Sequence, residues 1–354
     1  MPRIENVATA LPPYCFPQSE AKKFVRSLFS EYPDVDRLMP VFDNAFIEKR
    51  HFISDYDWYS TSHSFTELNE RYITSTLELS CEVIRKLLEL SQRDVSEIDA
   101  IIFISTTGIS TPSIDARLFN ILGFNRHIVR IPIWGLGCAG GAAGVARAAE
   151  YVTAHPNAVV LVLSVEISSL AFQRTLSKEN LIAAALFGDG AGGALLIGDK
   201  VKSRSKLPAL PHILDSLSTT YPDTLDVMGW QITPDGFQVL LSQNIPTIVT
   251  NLVRDNICEL LDRNKLELSD ITHYVTHPGG TKVLEAYKTA LDLHPDTLCH
   301  SATVLRENGN MSSCTVFFIF ERFMQPHVVK KQSYGILSAL GPGFSSELVL
   351  LKWL

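Results

Sequence analysis

Ser269-Asp270-Ile271-Thr272-His273-Tyr274-Val275-Thr276-His277-Pro278-Gly279-Gly280 is the stretch from which the fold can be read. Thr272–Thr276 reads as a strand, Pro278 stops it, and the glycines turn the chain into a helix predicted from about Gly280 to Leu291. The same grammar occurs earlier. Ser96-Glu97-Ile98-Asp99 leads into the strand Ala100-Ile101-Ile102-Phe103-Ile104, which ends near Thr106-Thr107-Gly108. The offset between the two stretches is 269 − 96 = 173. Cys138 and Met311 are both predicted to open helices, and 311 − 138 is again 173. An offset shared by two pairs of elements predicts an internal duplication. The two αβ halves, residues 1–205 and 206–354, would then pack as one pseudo-symmetric body with a site at their junction.

The remaining pattern extends this alternation. A helix is expected from Ser113 to Leu122, a short strand at Ile128–Ile131, and a buried helix rich in Ala and Gly from Ala139 to Tyr151. Val159–Leu163 and Gly193–Ile197 have the length and composition of buried strands. In the second half, Met311–Phe323 reads as a helix, and Tyr334–Leu340 with Glu347–Trp353 as a closing strand pair. No low-complexity segment or flexible linker separates the halves.

Composition narrows the function classes. The chain has 354 residues, 46% hydrophobic and 19% charged, as expected of a globular protein. Its formal net charge of −7 argues against a nucleic-acid binder, which would carry a basic surplus. A few local Lys and Arg residues can still hold an anionic substrate. The six cysteines are widely spaced with no CxxC pair, so neither a zinc site nor a disulfide framework is expected. Free thiols in a reducing cytoplasm are the expectation. Met1–Asn6 has no signal-peptide shape, and no run reaches the ~18 apolar residues of a membrane span.

Three motifs carry chemistry. In Gly137-Cys138-Ala139-Gly140-Gly141 the small neighbours allow close backbone approach and present a thiol at a helix N-terminus, where the dipole favours an anion. A neighbouring imidazolium would lower the thiol pKa further, making Cys138 a nucleophile. His277 ends an apolar strand at the C-terminal edge of a sheet, where ligand sites of αβ proteins gather. His273, four residues earlier, is read as structural. Asn310, in Gly309-Asn310-Met311-Ser312-Ser313, would by itself be a helix N-cap. Beside a Cys and a His in matching junctions it becomes an amide donor able to stabilise an enolate. Together the three point to thioester acyl transfer with decarboxylation. The Cys-rich run of papain-like proteases is absent.

The chain resembles the type III polyketide synthases, the chalcone synthase-like branch of the thiolase superfamily. Five ordered motifs carry the resemblance: Gly137–Gly141, Leu186–Ala191, His277–Gly280, Gly309–Ser313 and Gly341-Pro342-Gly343-Phe344. It implies a thiolase-like duplicated αβαβα five-layer fold of the α/β class and a homodimer, with Thr111 at the dimer interface. It further implies that Cys138 is acylated by a starter acyl-CoA, that His277 holds Cys138 as thiolate, and that His277 with Asn310 stabilises the enolate of decarboxylated malonyl-CoA. No metal and no organic cofactor would be needed, since the CoA thioesters are substrates. Phe187 and Phe237 match two gatekeeper phenylalanines. Thr106, Ser168, Ala171, Met228 and Ser312 fall at cavity positions, and Gly341 and Pro342 in the loop that sets this branch apart from ketoacyl synthases. Ala171 stands where plant enzymes carry threonine, and Asn44 where a basic residue is expected for CoA phosphates; Arg37, Lys49, Arg50 and Lys282 are its candidate replacements. These departures resemble bacterial alkylpyrone and alkylresorcinol synthases that use long-chain acyl-CoA. A ketoacyl synthase that initiates fatty-acid synthesis, and an acyl-binding scaffold without catalysis, are the alternatives.

Overall fold

The computed structural model describes residues 1–242 and 244–354. Nine strands form one sheet in the order Ile271–Thr276, Tyr334–Gly341, Ser345–Trp353, Pro211–Thr220, Arg3–Ala10, Asp189–Ile197, Val159–Ile167, Ala100–Ile104 and Val129–Ile133. A seam divides it, because Arg3–Ala10 and Pro211–Thr220 meet through a single register pair, Arg3 with His212. Outward from the seam the two sides repeat. Each runs through two antiparallel neighbours and then one parallel strand. The N-terminal side adds the parallel edge strand Val129–Ile133. Nothing matches that strand on the other side among the described residues.

The duplication also survives in small details. Asp94 and Glu97 form a capping box around the short turn that leads into Ala100–Ile104. Glu267 and Asp270 do the same ahead of Ile271–Thr276. Both pairs are separated by 173 residues (267 − 94 and 270 − 97). The helix junctions are related by a slightly different register. Cys138 lies in a single tight turn, Gly137–Ala139, before the helix Gly140–Ala154. The matching turn is Ser312–Cys314, before Thr315–Phe323, so the offset there is 312 − 137 = 175. The helix expected to start at Met311 therefore starts four residues later, after this turn.

Five layers follow from the period-2 alternation of strand side chains. Ile102, Ile104, Val160 and Val162 on one half-sheet, and Leu337, Ala339, Val349 and Leu351 on the other, face a shared central layer. That layer is the helix pair Gly140–Ala154 and Thr315–Phe323. The alternate residues Ile101, Phe103, Leu161 and Leu163 face outward onto the long helix Phe65–Ser91, through Leu79, Val83 and Leu87. Ile336, Leu348 and Leu350 likewise meet the helices Ile245–Arg263 and Thr281–Leu291. The central helices are complementary in size. One is lined with Gly and Ala; the other carries Val316, Phe317, Phe318, Ile319 and Phe320, all buried, as a fully enclosed helix requires.

Glycine permits this close approach. A Cβ at Gly141 would sit 2.2 Å from the Ser313 carbonyl oxygen, and one at Gly140 would sit 2.6 Å from Ile104. Among the described residues, no helix is long and apolar enough to cross a membrane. All six cysteines are free.

Candidate active site

The two central turns face each other across the junction of the halves. Cys138 Sγ lies 3.7 Å from Ser312 Oγ and 4.0 Å from Asn310 Oδ1. Gly137 has φ +48°, and a Cβ there would strike Pro342 at 2.6 Å. A Cβ on Gly341 would lie 2.3 Å from the Leu136 carbonyl oxygen. The Gly341-Pro342 loop of the second half thus seats directly on the Cys138 turn of the first. Thr106 supports the same turn from below, its Oγ1 accepting the Gly137 N–H at 3.1 Å.

Asn310 is fixed by its neighbours. Its Oδ1 accepts the Ser312 N–H at 2.8 Å, and its Nδ2 donates to the Gly279 carbonyl at 3.0 Å. Because a backbone N–H must meet an oxygen, this pairing sets the orientation of the amide and leaves one Nδ2 hydrogen for another acceptor. Ser312 makes the arrangement possible in the left-handed region, at φ +51°, an uncommon conformation for a serine and one that gathers at functional sites. The Asn310 main chain is tied to the Leu186–Gly188 segment by bonds of 2.9 Å in both directions. This couples the Asn310 motif to the motif holding Phe187.

His277 is 4% exposed, and neither ring nitrogen has a hydrogen-bond partner. Its own N–H donates to the Ser338 carbonyl at 2.8 Å, holding the residue at the end of its strand. Burial pushes its pKa down to about 3 and pushes the Cys138 thiol up to about 11. Burial thus acts against both charged forms of the imidazolium–thiolate pair that the resemblance implies, and neither ring nitrogen of His277 is committed to another partner.

A cavity of about 570 Å³ brings the site together. Cys138, His277, Asn310, Ser312, Phe187 and Met228 line it, and Pro342 closes one side. Its walls are apolar, including Leu181, Ile182, Val239, Leu240 and Val283. At the solvent side stand the exposed cations Arg37, Lys178 and Lys282, with Asn44. Arg50 was expected among the phosphate-binding cations, and the structure places it elsewhere. It is buried and donates through Nη1 to the carbonyls of Ala184 at 2.5 Å and Phe187 at 2.7 Å. It therefore braces the Phe187 backbone and cannot reach a ligand at the mouth. Lys49 is exposed on the neighbouring hairpin and does not line the cavity.

Other expected cavity residues are more distant. Ser168 and Ala171 line a separate small cavity behind Phe187. Phe237 is buried on the hairpin Met228–Thr233/Gly236–Leu241 and lines neither cavity. Between it and Phe187 stands Trp230, 6.1 Å from one ring and 6.2 Å from the other. Trp230 completes the aromatic row and escaped sequence reading, because its short hairpin has no clear periodicity. Glu166 also escaped it. This buried carboxyl accepts from Thr106 N at 2.9 Å, from Thr107 Oγ1 at 3.0 Å and from Ser313 Oγ, and burial pushes its pKa up to about 7. It links the support of the Cys138 turn to the Asn310 turn. An acidic residue within the apolar strand Val159–Ile167 was the available signal. No group of three or more metal-ligating side chains occurs among the described residues.

Two family descriptions match the chain: chalcone and stilbene synthases, N-terminal domain, over residues 3–200, and the C-terminal domain of the same family over residues 212–354. A Bacillus subtilis (strain 168) protein named "Putative chalcone synthase" is 44% identical, covering 99% of this chain and 98% of its own. A 1,3,6,8-tetrahydroxynaphthalene synthase of Streptomyces peucetius subsp. caesius is 35% identical over 99% of this chain and 93% of its own. The crystal structure of the Streptomyces coelicolor A3(2) 1,3,6,8-tetrahydroxynaphthalene synthase, a bacterial type III polyketide synthase, superposes with a TM-score of 0.92 at 27% identity and covers 99% of both chains.

Proposed function

The chain belongs to the chalcone and stilbene synthase family, and on that premise we propose that this type III polyketide synthase extends a long-chain acyl-CoA starter iteratively with malonyl-CoA, giving alkylpyrones or alkylresorcinols. The observation that carries the reading is the cavity of about 570 Å³, cationic at its mouth, apolar along its walls and ending at Cys138, His277 and Asn310.

Arg37, Lys178 and Lys282 hold the CoA phosphates, and the apolar walls take the acyl chain. The neutral His277 imidazole accepts the Cys138 thiol proton as sulfur attacks the starter carbonyl. The C–S bond to CoA breaks, CoA leaves as its thiol, and the acyl group remains on Cys138. The backbone N–H of Cys138 steadies the oxyanion of the tetrahedral intermediate. Malonyl-CoA then loses CO2, and the electron pair moves onto the thioester as an enolate. His277 and the free Nδ2 hydrogen of Asn310 donate to its oxygen. The enolate carbon attacks the acyl carbonyl and displaces Cys138 sulfur, lengthening the chain by two carbons. Return of the β-ketoacyl chain to Cys138 starts the next cycle. Each bond change as drawn is met by the substrates with Cys138, His277 and Asn310, so the proposed reaction calls for neither metal nor organic cofactor.

The enzyme acts as a homodimer in the cytoplasm. The exposed apolar side chains of Ile109, Val129 and Trp134 on the edge-strand face near Thr111 support the dimer. Sedimentation of the purified protein at the monomer mass would contradict it. The substrate assignment is tested by incubating the protein with acyl-CoAs of graded length plus malonyl-CoA and identifying the products. Pyrones or resorcinols bearing the starter's tail are expected. A tail-less aromatic made from malonyl-CoA alone would favour the product class of the tetrahydroxynaphthalene-forming relatives. A single linear condensation on acyl carrier protein would favour a ketoacyl synthase.

A further inference from the structure

The helix Lys178–Leu186 ends one residue before Phe187, and the last carbonyls of a helix have no partner within it. Here each of them is taken. Ala183 accepts the Phe187 N–H at 3.0 Å. Ala184 accepts from Arg50 Nη1 at 2.5 Å, and the same nitrogen donates to the Phe187 carbonyl at 2.7 Å. Ala185 accepts from Gln18 Nε2 at 2.8 Å. Leu186 accepts the N–H of Asn310 at 2.9 Å. The Asn310 main chain is therefore one cap of this helix, and Arg50 and Gln18 supply two others.

Arg50 is built into this helix end. It is 1% exposed on the strand Lys49–Phe52, and its Nε donates to Gln18 Oε1 at 3.0 Å. Its stem packs against the turn that precedes Asn310. A Cβ on Gly309 would lie 2.8 Å from both Cγ and Cδ of Arg50, and 2.8 Å from the Leu186 carbonyl oxygen. Burial pulls the Arg50 pKa down to about 10, which leaves the group charged at neutral pH. A buried cation is a costly choice where a neutral cap would serve. It suits a helix C-terminus, because the dipole there favours positive charge and a guanidinium fixes its acceptors in a rigid fork.

We propose that Arg50 is a positioning residue for decarboxylation, holding Phe187 and Asn310 in register through the helix end that both share. The proposal rests on the polyketide synthase reading given above. Arg50 lies behind the Phe187 backbone and does not line the large cavity. It acts through the Leu186 carbonyl, whose place fixes the Asn310 N–H and with it the amide. A shift of about 1 Å in such a group is enough to cost roughly 10²-fold in rate. Cys138 stands on the other half, where Thr106 supports its turn. Loss of Arg50 therefore separates two steps, sparing starter loading and slowing CO2 release.

The test compares the rate of CO2 release from malonyl-CoA with the rate at which a long-chain acyl-CoA loads Cys138. Arg50→Met keeps a stem against Gly309 and removes the donors. It should lower kcat for decarboxylation by roughly 10–100-fold, with KM for malonyl-CoA and the loading rate within about twofold of wild type. Arg50→Lys keeps the charge without the fork and should lose only about three- to tenfold. Gln18→Leu removes the Nε acceptor and the Ala185 cap, and should lower the same kcat by about fivefold. It keeps the test open if Arg50→Met fails to fold. Folded variants that slow loading and decarboxylation equally, or slow neither, would overturn the proposal and leave Arg50 a purely structural cap. A wild-type protein that releases no CO2 from malonyl-CoA would overturn the polyketide reading itself, and the proposal with it.

Discussion

The junction that carries Cys138 and the junction that carries Asn310 have the same build and different contents. Each is a tight turn ahead of a central helix, the first following the edge strand Val129–Ile133 and the second the helix Cys299–Asn308. The first is filled with small residues and presents a sulfur. The second is bulky, holds its serine at φ +51° and presents an amide fixed on both sides. One scaffold thus places a thiol from one half opposite an amide from the other. Size complementarity between the helices brings the two within 4.0 Å. The shared build sets the geometry, and the residues at the two turns differ in what they present to it.

If the junctions have separate duties, their variants should fail differently. Cys138→Ala should lower condensation on the order of 10⁴-fold or more while malonyl-CoA decarboxylation persists. Asn310→Ala should lower decarboxylation by roughly 10²–10³-fold while starter acylation of Cys138 remains. Rates of CO2 release and of acyl loading separate these outcomes. Equal loss of both steps in both variants would break the comparison.

Packing between the junctions gives the next effect. Gly141→Ala should cost about 1–3 kcal/mol in denaturant unfolding, because its new Cβ meets the Ser313 carbonyl oxygen, which has no flexible end to move aside. Gly229→Ala, where an added Cβ meets nothing within 4 Å, should change stability by no more than about 0.5 kcal/mol.

The thiol itself is a finer probe. With burial pushing Cys138 up to about 11, its thiolate fraction lies far below one at pH 7 and grows with pH. Iodoacetamide should therefore modify Cys138 about tenfold faster per pH unit from 7 to 9. A plateau reached near pH 6 would mean that a His277 imidazolium holds the thiolate after all. The smallest effect belongs to the mouth. Lys282→Ala should raise KM for malonyl-CoA up to about fivefold, ~1 kcal/mol, and less at high salt.

Sequence alone made the strands, the duplication and the triad legible because glycine and proline punctuate each junction. Cys138, His277 and Asn310 each stand beside such punctuation and meet in one cavity. Arg50 misled because a cation next to Lys49 reads as a surface charge. Its inward position on the short hairpin Lys49–Phe52, against two carbonyls, is a tertiary property. Trp230 carries no local signal, since an aromatic ring joins a cavity wall only when distant segments enclose it. Glu166 was visible in principle, as an acidic residue inside an apolar strand. Only the assembled halves show it bridging Thr106 and Ser313.

The central claim, that Cys138 of one half receives the chain which the Asn310 half then extends, has a direct test. The intact protein is loaded with a long-chain acyl-CoA, quenched, and mapped by peptide mass spectrometry before and after a chase with malonyl-CoA. The account predicts one acyl group on the Cys138 peptide, which leaves during the chase as a longer ketide and is absent in Cys138→Ala. An acyl group on another cysteine, or one on Cys138 that malonyl-CoA does not remove, would contradict it.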